Sequence, residues 1–118
     1  MKYLCMVIVD EKKLAAMSRS ERDRLDEESL AYDETLRKSG HFIAAQALQS
    51  VHTATTVRLQ NGKVSLTDGP FAETTEQLGG FILIHARDLN EAIQVASKIP
   101  AISLGAVEVR PIMELKQP

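Results

Sequence analysis

Fourteen consecutive residues, Thr67-Asp68-Gly69-Pro70-Phe71-Ala72-Glu73-Thr74-Thr75-Glu76-Gln77-Leu78-Gly79-Gly80, concentrate three acids, three glycines and a proline. Carboxylates that approach one another raise each other's proton affinity. Asp68, Glu73 and Glu76 are therefore candidates for general acid or base work, or for holding a hard cation through oxygen. Asp68 is expected at a strand end facing a cleft, and a helical turn over Glu73–Leu78 would set Glu73 and Glu76 one turn apart on the same side. The same residues also have an architectural reading. An Asp side chain can bond backbone amides two residues on, Gly takes angles other residues avoid, and Pro fixes a turn.

Arg110 stands two residues after Glu108 in an alternating segment, so both side chains point to one face. It is expected to pair with Glu108 or Asp68, or else to hold a substrate carboxylate in a bidentate contact. His41 follows Gly40. It serves either as the proton-transfer group of a pocket, since imidazole titrates near neutral pH, or as a C-terminal helix cap. His52 and His85 are too scattered from it to suggest a metal site, and His85 reads as the end of a core strand. Cys5 lies in an apolar run where burial would raise its pKa and keep it inert. Catalytic candidates are thus Asp68 and His41, and ligand-binding candidates are Phe71, Glu73, Glu76 and Arg110. No metal and no cofactor is expected: there is no dinucleotide fingerprint, Walker loop, nucleophile elbow or zinc spacing. Gly79-Gly80 precedes a strand, so it is no phosphate loop.

Positioning these groups requires a set of elements that the patterning supplies. Tyr3-Leu4-Cys5-Met6-Val7-Ile8-Val9 is continuously apolar, as in a strand covered on both faces. Leu25, Ser29, Tyr32 and Leu36 recur on one helical face, with a capping box at Ser18-Arg19-Ser20-Glu21 and a left-handed terminator at Gly40. Phe42–Leu48 reads as a strand. Thr55–Leu59 and Val64–Thr67 flank Asn61-Gly62, a type I′ hairpin signal, and the middle of the chain is expected to be an antiparallel meander. Phe81–Ala86 is again apolar on both faces. Asp88 and Glu91 mark a capping box before Leu89, Ala92, Ile93, Ala96 and Ile99, and Pro100 stops that helix. Val107–Ile112 alternates and closes the domain.

This order suits an α+β fold of the ferredoxin-like kind, with an antiparallel sheet and two helices on one face. Two helices cover only one face of such a sheet. Because two strands look apolar on both sides, a second copy of the chain is expected on the other face, giving a homodimer.

The whole chain of 118 residues, 44% hydrophobic and 25% charged, suits a single domain over 1–118 with a real core. A formal charge of −2 offers no basic field for nucleic acid or an anionic membrane surface. No apolar stretch approaches the roughly 20 residues that span a bilayer. The apolar start is too short for a signal peptide and runs straight into Asp10-Glu11-Lys12-Lys13. A single cysteine excludes an internal disulfide, and a cytoplasmic location fits best.

Asp68-Gly69-Pro70-Phe71, followed by Ala72-Glu73-Thr74, Glu76 and Leu78-Gly79-Gly80-Phe81, resembles the signature of the DGPF branch of the YCII-related family. The resemblance extends to Met1-Lys2-Tyr3, Ala54-Thr55-Thr56-Val57-Arg58, Asn61-Gly62 and Val107-Glu108-Val109-Arg110-Pro111. It departs at Thr75, where relatives commonly carry lysine. It implies ferredoxin-like protomers in a dimeric α/β-barrel-like assembly, and it supplies no reaction. A narrower branch of the family is thought to pair a first-helix histidine with an aspartate. This chain has no histidine before Gly40, so that dyad does not transfer. Some relatives stand beside or are fused to alternative sigma factors, which implies a regulatory setting for those members.

Two functions remain open on the sequence. In one, a pocket between sheet and helices or at the dimer seam binds or transforms a small polar organic molecule by isomerisation or proton transfer, by analogy with lactone isomerases and cofactor-free monooxygenases of the dimeric barrel type. In the other, the chain is a non-catalytic regulatory module in which the DGPF segment is a rigid turn and the charged helix meets a protein partner.

Overall fold

Residues 1–116 are described by a computed structural model. Strand β1 (Lys2–Asp10) alternates along its whole length: Tyr3, Cys5, Val7 and Val9 are buried, while Lys2, Leu4, Met6 and Ile8 lie half-buried on the opposite side. The continuous apolar run thus serves two surfaces. β1 pairs antiparallel with β5 (Glu76–His85) on one side and β6 (Gly105–Pro111) on the other, and β2 (Phe42–Ala47) extends the sheet beyond β5. The resulting order, β2-β5-β1-β6, is the ferredoxin-like β-α-β-β-α-β arrangement.

The helices pack on the face carrying Tyr3, Cys5, Val7, Ile82 and Ile84. Helix α2 (Arg19–Lys38) starts at a complete capping box between Ser18 and Glu21, and Gly40 follows it at φ +81°. Its Leu25, Tyr32 and Leu36 face the core as the spacing predicts, and the Tyr32 hydroxyl donates 2.6 Å to the Val95 carbonyl of α3 (Leu89–Ser97). Ala92, Val95 and Ala96 bury the inner side of α3, whose small side chains let it lie close to the sheet. Ile84 and Cys5 are completely buried at the centre.

Three features differ from the sequence expectation. A third, short helix, α1 (Glu11–Ala15), precedes α2, because Asp10 accepts a hydrogen bond from the Lys12 amide at 2.9 Å and so caps a turn inside the charged run. No helical turn forms over Glu73–Leu78, since Glu76 already belongs to β5. Gly79 and Gly80 lie within that strand. A Cβ on Gly79 would stand 2.7 Å from Val9 Cγ2, and one on Gly80 would stand 2.8 Å from the Gln46 carbonyl oxygen. The glycines thus permit close strand approach where the sequence suggests a strand opening.

The third difference is the meander, which is broken. β2 joins the main sheet, whereas β3 (Thr55–Gln60) and β4 (Lys63–Asp68) form a separate two-stranded hairpin. Its turn has positive φ at both Asn61 and Gly62, as a type I′ turn requires. The hairpin is an insertion between β2 and β5. The molecule is a plate of 49 × 47 × 19 Å with a radius of gyration of 16.2 Å, above the roughly 13.5 Å of a compact chain of this length.

On the sheet face away from the helices, Leu4 lies between Leu83 and Arg110, Met6 between Phe81 and Glu108, and Ile8 between Leu78 and Ala106. No element covers this face among the described residues. Among the described residues, no helix is long and apolar enough to cross a membrane.

Candidate functional site

The segment from Asp68 to Gln77 leaves the hairpin and enters β5, and its shape is set by short hydrogen bonds. Gly69, at φ +107°, donates from its amide to the Ala54 carbonyl at 2.8 Å, and its own carbonyl accepts from Thr56 Oγ1 at 2.8 Å. Farther on, the Gln77 side-chain amide donates to the Ala72 carbonyl at 2.7 Å and to the carbonyl and hydroxyl of Thr74. Thr74 Oγ1 donates to the Glu76 carbonyl at 2.6 Å. One glutamine thereby closes the loop on itself.

The opposing wall comes from the link between β2 and β3. Glu11 accepts from Ser50 Oγ at 2.8 Å and from the Val51 amide at 3.0 Å, fastening the Val51–Thr53 turn to α1. The Val51 amide, then the Ser50 hydroxyl, hold the Glu11 carboxyl below its ordinary range, and the nearby His52 adds to this.

Two clefts flank the loop. A cleft of about 650 Å³ is lined by polar and charged residues, among them Lys12, His52, Asp68, Glu73 and Thr74. A neighbouring one of about 490 Å³ is mainly apolar and includes Leu48, Pro70, Phe71 and Leu78. Val51, Pro70 and Gln77 border both. The Asp68 carboxylate makes no hydrogen bond or ion pair among the described residues, so it does not cap its own turn. The turn is made by the backbone of Gly69 and by Thr56 instead. Phe71 is 77% exposed, with the Arg58 guanidinium 5.0 Å from its ring centroid.

Of the six residues singled out in the sequence, the fold brings Asp68 and Glu73 to one cleft and Phe71 to the adjoining one. Glu76 borders neither; it stands opposite Asp10 at the start of β5, with its carboxylate beside Gly105. Arg110 is bonded to Glu108 at 2.7 Å, the pairing expected for it, but on exposed sheet surface. His41 is at the far end of the sheet, where its carbonyl accepts from the His85 amide. The strand between Gln77 and His85 is about 27 Å long.

The surroundings of His41 have the connectivity of a serine-histidine-acid relay: Ser39 Oγ lies 2.7 Å from Nδ1, and Nε2 lies 3.1 Å from Glu91 Oε1. The nearby amides of Ser39, Gly40 and His41 all donate to α2 carbonyls, however, so none is free to stabilise an oxyanion. The cluster joins the start of β2 to α3. Glu91 departs from the expected capping box in the same way: its amide bonds Asp88, but its carboxylate turns to Arg87 and His41. The Arg87 amide and then the Arg87 side chain hold that carboxyl below its ordinary range.

Lys12, His52, Leu48 and Val51 are cleft residues that sequence reasoning missed. Lys12 was one charge in a charged run, and only the Asp10 cap pointed to a turn there. Nothing in local spacing links Lys12 or His52 to Asp68.

Fold and site together define an antiparallel α+β domain with a loop-bordered cleft at the root of an inserted hairpin. The model of the YCII-related domain matches residues 1–116. An uncharacterised protein of Rhizobium meliloti (strain 1021) is 34% identical over 114 residues, which is 95% of this chain and 92% of that protein. The chain belongs to the YCII-related family.

Proposed function

We propose that this chain binds a small polar organic molecule in the cleft beside Asp68 and acts on it by proton transfer, as in an isomerisation. The observation that carries the reading is the Asp68 carboxylate, which borders a cleft together with Lys12, His52 and Glu73 and is engaged by no other group among the described residues. Such a carboxylate is available to accept a proton or a hydrogen bond from a ligand. Lys12 and His52 supply donors for the ligand's acceptor atoms, and the adjoining apolar cleft with Phe71 takes its hydrocarbon part. Asp68 is the acid-base group in this reading, and Glu73 and Phe71 contact the ligand. His41, Glu76 and Arg110 act at a distance, through the frame. The active form is a homodimer in which a second copy covers the open sheet face.

The test is amide chemical-shift mapping with a panel of small lactones, hydroxyketones and amino alcohols. Shifts grouped at Val51, His52 and Asp68–Gln77, and lost in Asp68→Asn, support the reading. A panel that moves none of these amides, or moves them equally in the variant, overturns it. The exposed apolar hairpin favours a second reading, a non-catalytic interaction module, in which the loop only shapes the root of the arm.

A further inference from the structure

The β3–β4 hairpin has a sharply divided surface. Val57 pairs with Leu66 and Leu59 with Val64, so all four share one face, whereas Thr56, Arg58, Gln60, Lys63, Ser65 and Thr67 share the other. This is the alternation of a half-buried sheet, yet the apolar half is largely exposed among the described residues. Val57 is 64% exposed, Leu59 73%, Val64 69% and Leu66 67%. Among the described residues, no helix or other strand packs extensively on the hairpin. A two-stranded hairpin alone is marginal in water, and an apolar stripe of this kind marks a contact surface.

We propose that the β3–β4 hairpin is an arm that lies on a second copy of this chain, with the Val57, Leu59, Val64 and Leu66 stripe against the partner. The proposal deepens the dimer invoked above and is independent of what the Asp68 cleft binds. Area supports a second copy as the occupant. The stripe presents on the order of 450 Å² of apolar-rich surface, so two arms, each covering a similar area of the partner, bury about 1,800 Å² in total, within the range of stable dimers. Symmetry supports it as well. One chain carries both an uncovered arm and an open sheet face bearing the half-buried Leu4, Met6, Ile8, Phe81 and Leu83, and an isologous pair offers each chain a partner surface for both.

The arm begins at Thr55 and ends at Asp68. Its root is therefore the wall of the polar cleft, and an arm laid on a second copy brings that copy's surface to the mouth of the cleft. The ligand site is complete only in the pair.

The experiment compares the wild-type chain with Leu59→Lys/Leu66→Lys and with Ser65→Lys on the polar face, by sedimentation over a range of concentrations. The wild type and Ser65→Lys are expected to be dimers, and the double variant is expected to dissociate with a Kd raised about 100-fold or more. A monomeric wild type, or a double variant that stays dimeric, overturns the proposal. Amide exchange of the wild type covers the case of a misfolded variant: protection of β3 and β4 must fall when the dimer is diluted apart, and protection independent of concentration refutes the arm. Asp68→Asn is expected to lose ligand shifts while remaining a dimer, so failure of the ligand reading and failure of the arm are separate results.

Discussion

Asp68→Asn and Asp68→Ala divide the two roles open to this residue. Asn keeps the shape and removes the charge, whereas Ala removes every side-chain acceptor. Among the described residues the Asp68 carboxylate accepts no hydrogen bond, and the adjoining turn is held by the Gly69 amide on Ala54 and by Thr56 on the Gly69 carbonyl. Both variants should therefore stay within about 0.5 kcal/mol of the wild type, a shift of the melting temperature of no more than ~2 °C for a chain of this size. A residue that capped its own turn would instead lose about 0.5–2 kcal/mol on conversion to Ala. Ligand affinity follows a different scale. A hydrogen bond to an ionised partner contributes about 1.5–3 kcal/mol, so loss of the charge should weaken binding by about 10- to 150-fold. The assays are thermal unfolding by circular dichroism and titration of whichever panel compound shifts the cleft amides. A drop of ~4 °C or more in Asp68→Ala with unchanged ligand affinity in Asp68→Asn would refute the reasoning and return Asp68 to the turn.

Glu11→Gln should unfold at a lower temperature than the wild type at pH 7. The folded carboxyl is held below its ordinary value of 4.5, so its contribution is fully present above that pH and is lost as pH falls through the lower folded value. Melting curves from pH 7 to pH 2.5 should show the two proteins converging at the acid end, and a constant gap would contradict the assignment. Cys5 is fully buried, and burial pushes its thiol up to about 11. A colorimetric disulfide reagent at pH 8 should leave the native protein unmodified and label one thiol per chain in denaturant; rapid native labelling would contradict the packing. Ile84→Ala removes a completely buried side chain from the middle of the sheet and should cost about 2–5 kcal/mol by urea unfolding. A loss under ~1 kcal/mol would mean that the core there collapses around the gap.

The helix starting at Ser18 and ending before Gly40 was legible because capping and termination are local: a serine, a glutamate three residues on and a glycine at positive φ are enough. The Asn61-Gly62 hairpin was legible for the same reason. The Asp10 cap of α1 is equally local, and it was hidden only by the charge around it. Glu73–Leu78 misled because a three-residue spacing of acids fits a helix, while the register of Glu76 opposite Asp10 is a long-range fact. The glycine pair misled likewise: what demands Gly79 and Gly80 is Val9 on one neighbouring strand and the Gln46 carbonyl on another.

The candidate site divides along the same line. Residue types by themselves picked out Asp68, Phe71 and Glu73, because a turn-rich acidic segment between two strands is unusual wherever it lies. Only the tertiary structure separated His41 and Arg110 from them, at the end and on the surface of the sheet, and brought in Lys12 and His52. The sequence by itself determined the two longer helices, the strands, the Ser18 capping box, the hairpin turn and family membership, all of which depend on neighbours within a few residues or on motifs read whole. The meeting of α1, the Val51–Thr53 turn and the hairpin root was decided by strand order and register. Those depend on main-sheet pairings between residues far apart in the chain, from Ala47 with Gly80 to Tyr3 with Pro111, where local preference carries no information.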